Sequence, residues 1–369
     1  MIYEATNPLI DYVGRVYYNG TRVSFDHPGT QIRFQVRGAT SVSISLVQHY
    51  SSPSNISPPQ PSYFIVFVNG SKVESPSYHT FSTADAVDGR KVSYLLCSNL
   101  TASASHQFLV YKSTEAQWNA KQPQPNFISL VSIDTDSGVL EKLVPNQTHI
   151  RKIEFLGDSL TAGYCNLCAI TPQLKGAALQ SSYDSWPNRV CQALNSTCHQ
   201  IAWSGFGVVR NYGEGSTHMP EIYTRTLASV PGSTWNFSSW VPDAVVVNLG
   251  TNDRLPSPPK PPTGQFAVAY TALVQSMVAN YGPSTHLFLA CGPASTQYCS
   301  EVTEVLSFAS SLGVKATFLD QRNLVTSPCC GHPSVEDDIR IATFASKTIA
   351  AEMGWSLPKD SSTNFSNNV

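Results

Sequence analysis

The 369-residue chain predicts an α/β plus all-β protein, with an N-terminal β-sandwich (jelly roll) followed by an α/β/α domain on a parallel sheet. Three observations carry this. Apolar residues alternate at period two through the first part, and short apolar strands then alternate with amphipathic helices. The rhythm changes after Pro145-Asn146, which gives expected domains 1–148 and 149–357, with a polar tail 358–369 expected to be disordered.

In the first part Ile32, Phe34 and Val36 alternate with Gln31, Arg33 and Gln35, and Val42, Ile44 and Leu46 alternate with serines, as half-buried antiparallel strands require. Turn chemistry separates the strands at Asn19-Gly20, His27-Pro28-Gly29, Arg37-Gly38, the Pro/Ser-rich stretch 51–62, Asn69-Gly70 and Asp88-Gly89. Asn69-Gly70, between two alternating segments, reads as a type I′ hairpin turn. With almost no helical window, a sandwich or jelly roll is the natural closure.

Strands then follow near Ile153 to Leu156, Ile201 to Trp203, Ala244 to Leu249, Leu287 to Ala290 and Ala316 to Leu319. Between them Trp186, Val190 and Leu194 share a helical face with Pro187 in the first turn. Phe266, Tyr270, Leu273 and Met277 repeat at helical spacing up to Gly282, and Val305, Ala309 and Leu312 up to Gly313. Ser334-Val335-Glu336-Asp337 is a capping-box pattern opening a last helix to about Met353. Pro256 to Pro262 reads as a loop over the carboxyl ends of the strands, where open α/β sheets bind ligands.

Lys plus Arg is 23 against Asp plus Glu 25, a net charge of -2 without like-charge blocks, so nucleic acid and anionic membranes are excluded as main partners. No apolar run is long enough to span a bilayer, and Met1 to Leu9 lacks the regions of a signal peptide, so the chain reads as soluble and numbered after processing. Eight Asn-x-Ser/Thr sequons (19, 55, 69, 99, 146, 195, 236, 364) and nine cysteines point to a secreted, disulfide-bonded protein. Cys191 with Cys198 is a plausible local pair and Cys97 is the odd one out. Cys165 and Cys168 are spaced like half a zinc site, but no matching second half follows, and no metal is expected.

Four segments at the same edge of one sheet collect the residues that can do chemistry. Gly157-Asp158-Ser159 can lift a serine hydroxyl above the sheet edge, although Gly-Asp-Ser is also ordinary turn chemistry. Ser204-Gly205 ends the next strand, Gly250-Thr251-Asn252-Asp253 the third, and Gly331-His332-Pro333 lies near the end. The set suits acyl transfer. Ser159 is the nucleophile and His332 its base, and the N–H groups of Ser159 and Gly205 with the Asn252 amide form an oxyanion hole. A side chain at 205 would obstruct the backbone's approach to the substrate oxygen.

In this order the four blocks resemble the GDSL or SGNH hydrolases. The β-rich stretch ahead of the serine block, with Gly14-Arg15-Val16-Tyr17 and Ile32-Arg33-Phe34, is similar to carbohydrate esterase family 2. The resemblance implies a flavodoxin-like SGNH domain behind the jelly roll and removal of acetyl groups from polysaccharides such as xylan and glucomannan. It also implies an acyl-enzyme on Ser159 and no cofactor. The expected partner is an acetylated polysaccharide or oligosaccharide, and the chain is expected to be a monomer. The alternatives are a general or lipid acyl esterase of the same class and a non-catalytic carbohydrate-binding protein with a decayed hydrolase domain.

One position departs from the family pattern. Cys329 stands three residues before His332, where these enzymes often carry an aspartate. Either a backbone carbonyl orients His332, giving a Ser-His dyad, or a carboxylate arrives from elsewhere, with Asp320 and Asp337 (or Asp338) as candidates whose ordinary roles are a turn and a helix cap. The dyad is the preferred reading. Cys329 and Cys330 are expected to pair with other loops, Cys291 or Cys299 among them, pinning the histidine loop. His199, His218 and His286 read as structural, Asp158 as a turn former, Arg210 and Asn211 as possible cleft residues. Trp203, Trp235 and Trp240 are split between sugar stacking and core packing.

Overall fold

The computed structural model describes residues 1–50, 60–116, 125–144, 151–213, 215–254, 261–262 and 264–357. Most of the proline-rich run 256–262 and all of the tail 358–369 lie outside the described residues. The chain forms two compact units. The first takes in Met1–Thr148 with two short segments from later in the chain, Lys175–Ala178 and Thr224–Trp235, and the second holds the remainder.

The first unit consists of two antiparallel sheets. One runs Lys91–Cys97, Val42–Tyr50, Asn126–Thr135, Arg22–Phe25, Tyr17–Asn19, with Ile2–Glu4 also on Asn126–Thr135. The other runs Val139–Glu141, Gln31–Arg37, Ser105–Lys112, Tyr63–Val68, Ser71–Lys72, with Asp11–Val13 and Phe81–Ser82 at its flanks. Inward residues at period two fill the space between them: Val23, Phe25, Ile44, Leu46, Ile128 and Leu130 from one sheet, Ile32, Phe34, Phe108 and Val110 from the other. Phe34 and Phe108 are directly paired across strands and stack with centroids 4.9 Å apart. Asn69 and Gly70 have φ of 52° and 83° between the paired strands Tyr63–Val68 and Ser71–Lys72, the conformation a primed hairpin turn needs.

The segment Thr224–Trp235 is tied to this unit by Asp26. Fully buried, the Asp26 carboxylate accepts the N–H groups of Ala228 and Ser229 and the Ser229 hydroxyl, each at 2.8 Å. The Arg15 side chain donates to the Arg225 carbonyl at 2.9 Å and lies 5.0 Å from the Trp235 ring centroid. Nothing in the local sequence announces this attachment, because its donors are backbone groups about 200 positions away.

The second unit is a five-stranded parallel sheet. Its strands are β1 (Arg151–Gly157), β2 (Ser196–Ala202), β3 (Ala244–Asn248), β4 (His286–Cys291) and β5 (Ala316–Asp320), in the order β2-β1-β3-β4-β5. Its helices are α1 (Ser159–Ala162), α2 (Trp186–Ala193), α3 (Met219–Tyr223), α4 (Gln265–Tyr281), α5 (Cys299–Ser311) and α6 (Val335–Met353). This doubly wound order is the flavodoxin-like architecture that the family resemblance implies, and it reverses direction between β1 and β3. β2 begins five residues earlier than its apolar core suggests. Ser196, Thr197, His199 and Gln200 are polar, yet with Cys198 they pair in register with β1. The Ser334 hydroxyl accepts the Asp337 N–H at 3.2 Å and the Asp337 carboxylate accepts the Ser334 N–H at 3.1 Å, the reciprocal box read from the sequence.

Replacing Asp26 by alanine leaves two buried N–H groups without an acceptor. The expected loss is about 2–4 kcal/mol of stability in the first unit, read as a lowered Tm and faster hydrogen exchange over residues 224–235.

Candidate active site

Ser159 opens α1 directly after β1, and Asn252 follows β3, so both stand at the point where the sheet reverses direction. Asp158 is the N-cap of α1. Its fully buried carboxylate accepts the Leu160 N–H at 3.0 Å and the Asn252 amide at 3.2 Å. Asp158 thus does more than form the turn, because it ties the loop after β1 to the loop after β3.

His332 Nε2 lies 2.9 Å from Ser159 Oγ, and His332 Nδ1 lies 3.1 Å from the Cys330 carbonyl oxygen. A carbonyl only accepts, so Nδ1 carries the proton and Nε2 is left to accept the Ser159 hydroxyl. Burial pushes the His332 imidazole below its ordinary value of 6.5, against a smaller upward effect of the bond to Cys330. The Tyr164 ring sits 4.9 Å from the imidazole.

The turn that presents His332 is tight. Cys329 and His332 exchange both backbone hydrogen bonds, and Cys330 and Gly331 between them have φ of 50° and 75°. A left-handed cysteine carries roughly 1–2 kcal/mol of strain, which its surroundings must hold in place. Two disulfides do so: Cys165–Cys330 and Cys168–Cys329 join the turn to the loop that follows α1. Cys191–Cys198 is the local pair expected, whereas Cys291 bonds Cys299 and neither reaches the histidine turn, contrary to expectation. The reason is proximity. The end of β4 and the start of α5 lie 5.4 Å apart at Cα, while the turn faces the loop after α1, at 6.2 and 5.9 Å. The close grouping of Cys165, Cys168 and Cys330 is therefore bonded sulfur rather than a thiolate set for a metal.

Neither candidate carboxylate meets the imidazole. Asp320 is engaged by the Arg322 guanidinium at 2.6 and 2.8 Å, which holds its carboxyl below the usual range. Asp337 accepts the N–H groups of Thr326, Ser327 and Ser334 and pairs with Arg340. Asp338, fully buried, accepts the Asn166 amide and the Trp186 N–H. Among the described residues, the His332 ring nitrogens bond only Cys330 and Ser159.

Gly205 has φ +85°, and a Cβ there would meet only the Tyr212 Cβ, at 3.7 Å. The left-handed backbone thus favours glycine here, and no protein atom would crowd a Cβ. The loop it begins is held by Asp253, a residue the sequence reading passed over. The Asp253 carboxylate accepts the N–H groups of Val208, Val209 and Arg210 at 3.0, 2.7 and 3.1 Å. Gly207 is small because a Cβ would fall 2.5 Å from that carboxylate. Asn252 Nδ2 donates to the Phe206 carbonyl at 2.8 Å as well as to Asp158. The clue to Asp253 in sequence was its place in the Gly-Thr-Asn-Asp block, where only the asparagine carried an assigned role.

The remaining residues have structural surroundings. Asn211 bridges the Gly207 N–H and the Thr217 carbonyl within the same loop. His199 stacks on Trp240 at 3.6 Å, His286 meets the Thr317 hydroxyl at 2.8 Å, and the His218 ring lies 3.9 Å from Glu221. Trp203 is buried against Phe206.

A serine hydroxyl bonded to an unprotonated imidazole nitrogen, beside a glycine-opened loop and an asparagine amide, is an arrangement that can carry out acyl transfer. Residues 155–313 match the model of the GDSL-like Lipase/Acylhydrolase family. Over those residues the chain is similar to the GDSL-like hydrolases, and over nearly its whole length it resembles solved family 2 carbohydrate esterases. It is 29% identical to the Cellulase/esterase CelE of Acetivibrio thermocellus over 95% of this chain and 40% of that protein. It is 24% identical to an Acetylxylan esterase / glucomannan deacetylase of Cellvibrio japonicus over 66% of this chain and 68% of the relative. A family two carbohydrate esterase from Clostridium thermocellum, solved with cellohexaose, superposes with TM-score 0.78 at 27% identity over 94% of this chain and all of that one. The chain thus spans well under half the length of the first of these relatives.

A fluorophosphonate probe is expected to label Ser159 in the whole protein and to fail in His332→Ala. Removing one clamp by Cys165→Ser with Cys330→Ser should slow labelling about 10- to 100-fold by loosening the imidazole, as mass spectrometry of the labelled peptide will measure.

Proposed function

We propose that the protein is a secreted serine esterase that removes O-acetyl groups from polysaccharide of the xylan or glucomannan type. The observation that carries this reading is the 2.9 Å hydrogen bond between Ser159 Oγ and His332 Nε2, with the tautomer selected by the Cys330 carbonyl. The names of the relatives, an acetylxylan esterase and a cellulase/esterase, support the acetylated polysaccharide as substrate. Four disulfides support an oxidising, extracellular location.

The reaction runs in two steps. Ser159 Oγ attacks the acetyl carbonyl carbon while His332 Nε2 takes the hydroxyl proton, and the carbonyl π pair moves to oxygen. Collapse of this intermediate breaks the bond to the sugar oxygen, which leaves with the proton from His332. Water then attacks the acetyl-serine with His332 again as base, and acetate departs. The oxyanion is received by the N–H groups of Ser159 and Gly205. The Asn252 amide contributes through the hydrogen that otherwise makes the longer bond to Asp158. Orientation of His332 by a carbonyl makes this a Ser-His dyad. Asp253 is a positioning residue that acts through the loop starting at Gly205.

Acetate release from nitrophenyl acetate and from acetylated xylan or glucomannan tests the reading. Ser159→Ala is expected to lose roughly 10⁴-fold or more in kcat/KM, and equal rates for wild type and variant would overturn it. Octanoyl nitrophenyl ester turned over faster than the acetyl ester would favour the lipid-type alternative. His332 must be neutral to act, and burial lowers its pKa. The acid limb of kcat/KM should therefore lie below 6.5, with activity retained at mildly acid pH.

A further inference from the structure

The first unit carries a groove of about 500 Å³ that the esterase reading does not use. Its floor is the outer face of one sheet. Tyr17 pairs with Ser24 and Asn19 with Arg22, Ser24 pairs with Ser129, and Phe127 with His49. Because side chains alternate, these residues turn away from the core that their neighbours Val23, Phe25, Ile128 and Leu130 fill. Its wall is the segment from Leu227 to Thr234.

That wall is built before anything binds. Besides the bonds to Asp26, the Ser233 hydroxyl accepts the Leu227 N–H at 2.9 Å and the Ser229 hydroxyl accepts the Asn126 N–H at 3.0 Å. The Thr226 hydroxyl donates to the Thr234 carbonyl at 2.8 Å. A groove with fixed walls loses little entropy on binding.

The lining selects a ligand class. Tyr17 is 50% exposed, and Phe127 stacks with His49 at 4.6 Å, so the floor offers flat rings. Beside them stand the Ser24 and Ser129 hydroxyls, 2.7 Å apart, and the Asn19 amide. Burial pushes the His49 imidazole below its ordinary value, so it is neutral at neutral pH. Arg22 is the one cation and no carboxylate takes part, among the described residues. Flat rings next to neutral donors and acceptors match a sugar, whose C–H faces stack while its hydroxyls bond in the plane. A single cation is too little for a polyanion. The volume lies within the roughly 300–1,000 Å³ of small-ligand sites.

We propose that this groove is a saccharide-binding site, holding a short segment of unsubstituted polysaccharide chain on the first unit. It stands on the lining chemistry alone and survives or fails independently of the roles of Ser159 and His332. Asn19 also heads a sequon, so a glycan attached there would present the same chemistry to the groove. Thr21→Ala removes the sequon and keeps the Asn19 amide.

The test is hydrogen exchange of the full chain, with and without Thr21→Ala, on adding cellohexaose, xylohexaose or mannohexaose up to about 10 mM, a range that detects millimolar binding. Slowed exchange over 17–25 and 227–234 in the Thr21→Ala protein is expected with at least one of the three. Tyr17→Ala and Arg22→Ala should each weaken it about tenfold while nitrophenyl acetate hydrolysis and Tm stay unchanged, which establishes that these variants fold. No slowing, slowing confined to the peptides around Ser159, Gly205 and His332, or slowing insensitive to both variants would overturn the proposal. Protection present without added sugar and abolished by Thr21→Ala would overturn it too, by assigning the groove to the chain's own glycan.

Discussion

The orientation of one imidazole by one main-chain carbonyl is the constraint on which the candidate active site depends. The Cys330 oxygen accepts from His332 Nδ1, and only then is Nε2 free to accept from Ser159. That carbonyl points correctly because Cys330 sits in the left-handed region, in a four-residue turn closed at both ends by backbone bonds. The two disulfides to the loop after α1 fasten this turn to the segment that begins with Ser159 itself. Ser159 and His332 are thereby held by one covalent frame, although 173 positions separate them in the chain.

The sheet supplies the rest of the arrangement. Reversal of strand order between β1 and β3 opens the crevice where Ser159 and Asn252 meet, and buried carboxylates lock the loops around it. Asp158 links the loops after β1 and β3, and Asp253 gathers three consecutive N–H groups of the loop begun by Gly205. In the first unit Asp26 does the same for the segment Thr224–Trp235. Each is a buried acceptor satisfied mainly by backbone, hydroxyl or amide donors, and at Asp26 the buried Lys112 ammonium adds a favourable charge.

How much of this was legible in the sequence follows from the range of the interactions. The Asn69-Gly70 turn, the Ser334–Asp337 box and the strand periodicity are local, and they stand where the pattern put them. The four blocks fall in loops that each follow a strand of one parallel sheet, and two of them bring Ser159 and His332 within hydrogen-bond distance. Cysteine connectivity was not legible, since proximity of the histidine turn to the loop after α1 is a tertiary fact that spacing does not encode. Asp253 was hidden because its partners are N–H groups, which every residue but proline possesses. Glycine at 205 was recognised from its block, and the structure adds a torsional reason in its left-handed backbone. The early start of β2 was masked by polar residues that a covered parallel strand tolerates through register alone.

The Cys330 carbonyl belongs to the main chain, and this bears on how the site can vary. A carboxylate that orients a histidine disappears with one codon change, whereas an amide oxygen is present whatever side chain is attached to it. The element that steers the imidazole is therefore insensitive to side-chain identity and sensitive to chain path. Genetic drift at position 330 acts on the cross-link and the torsion angle, and inheritance of the acceptor itself is assured.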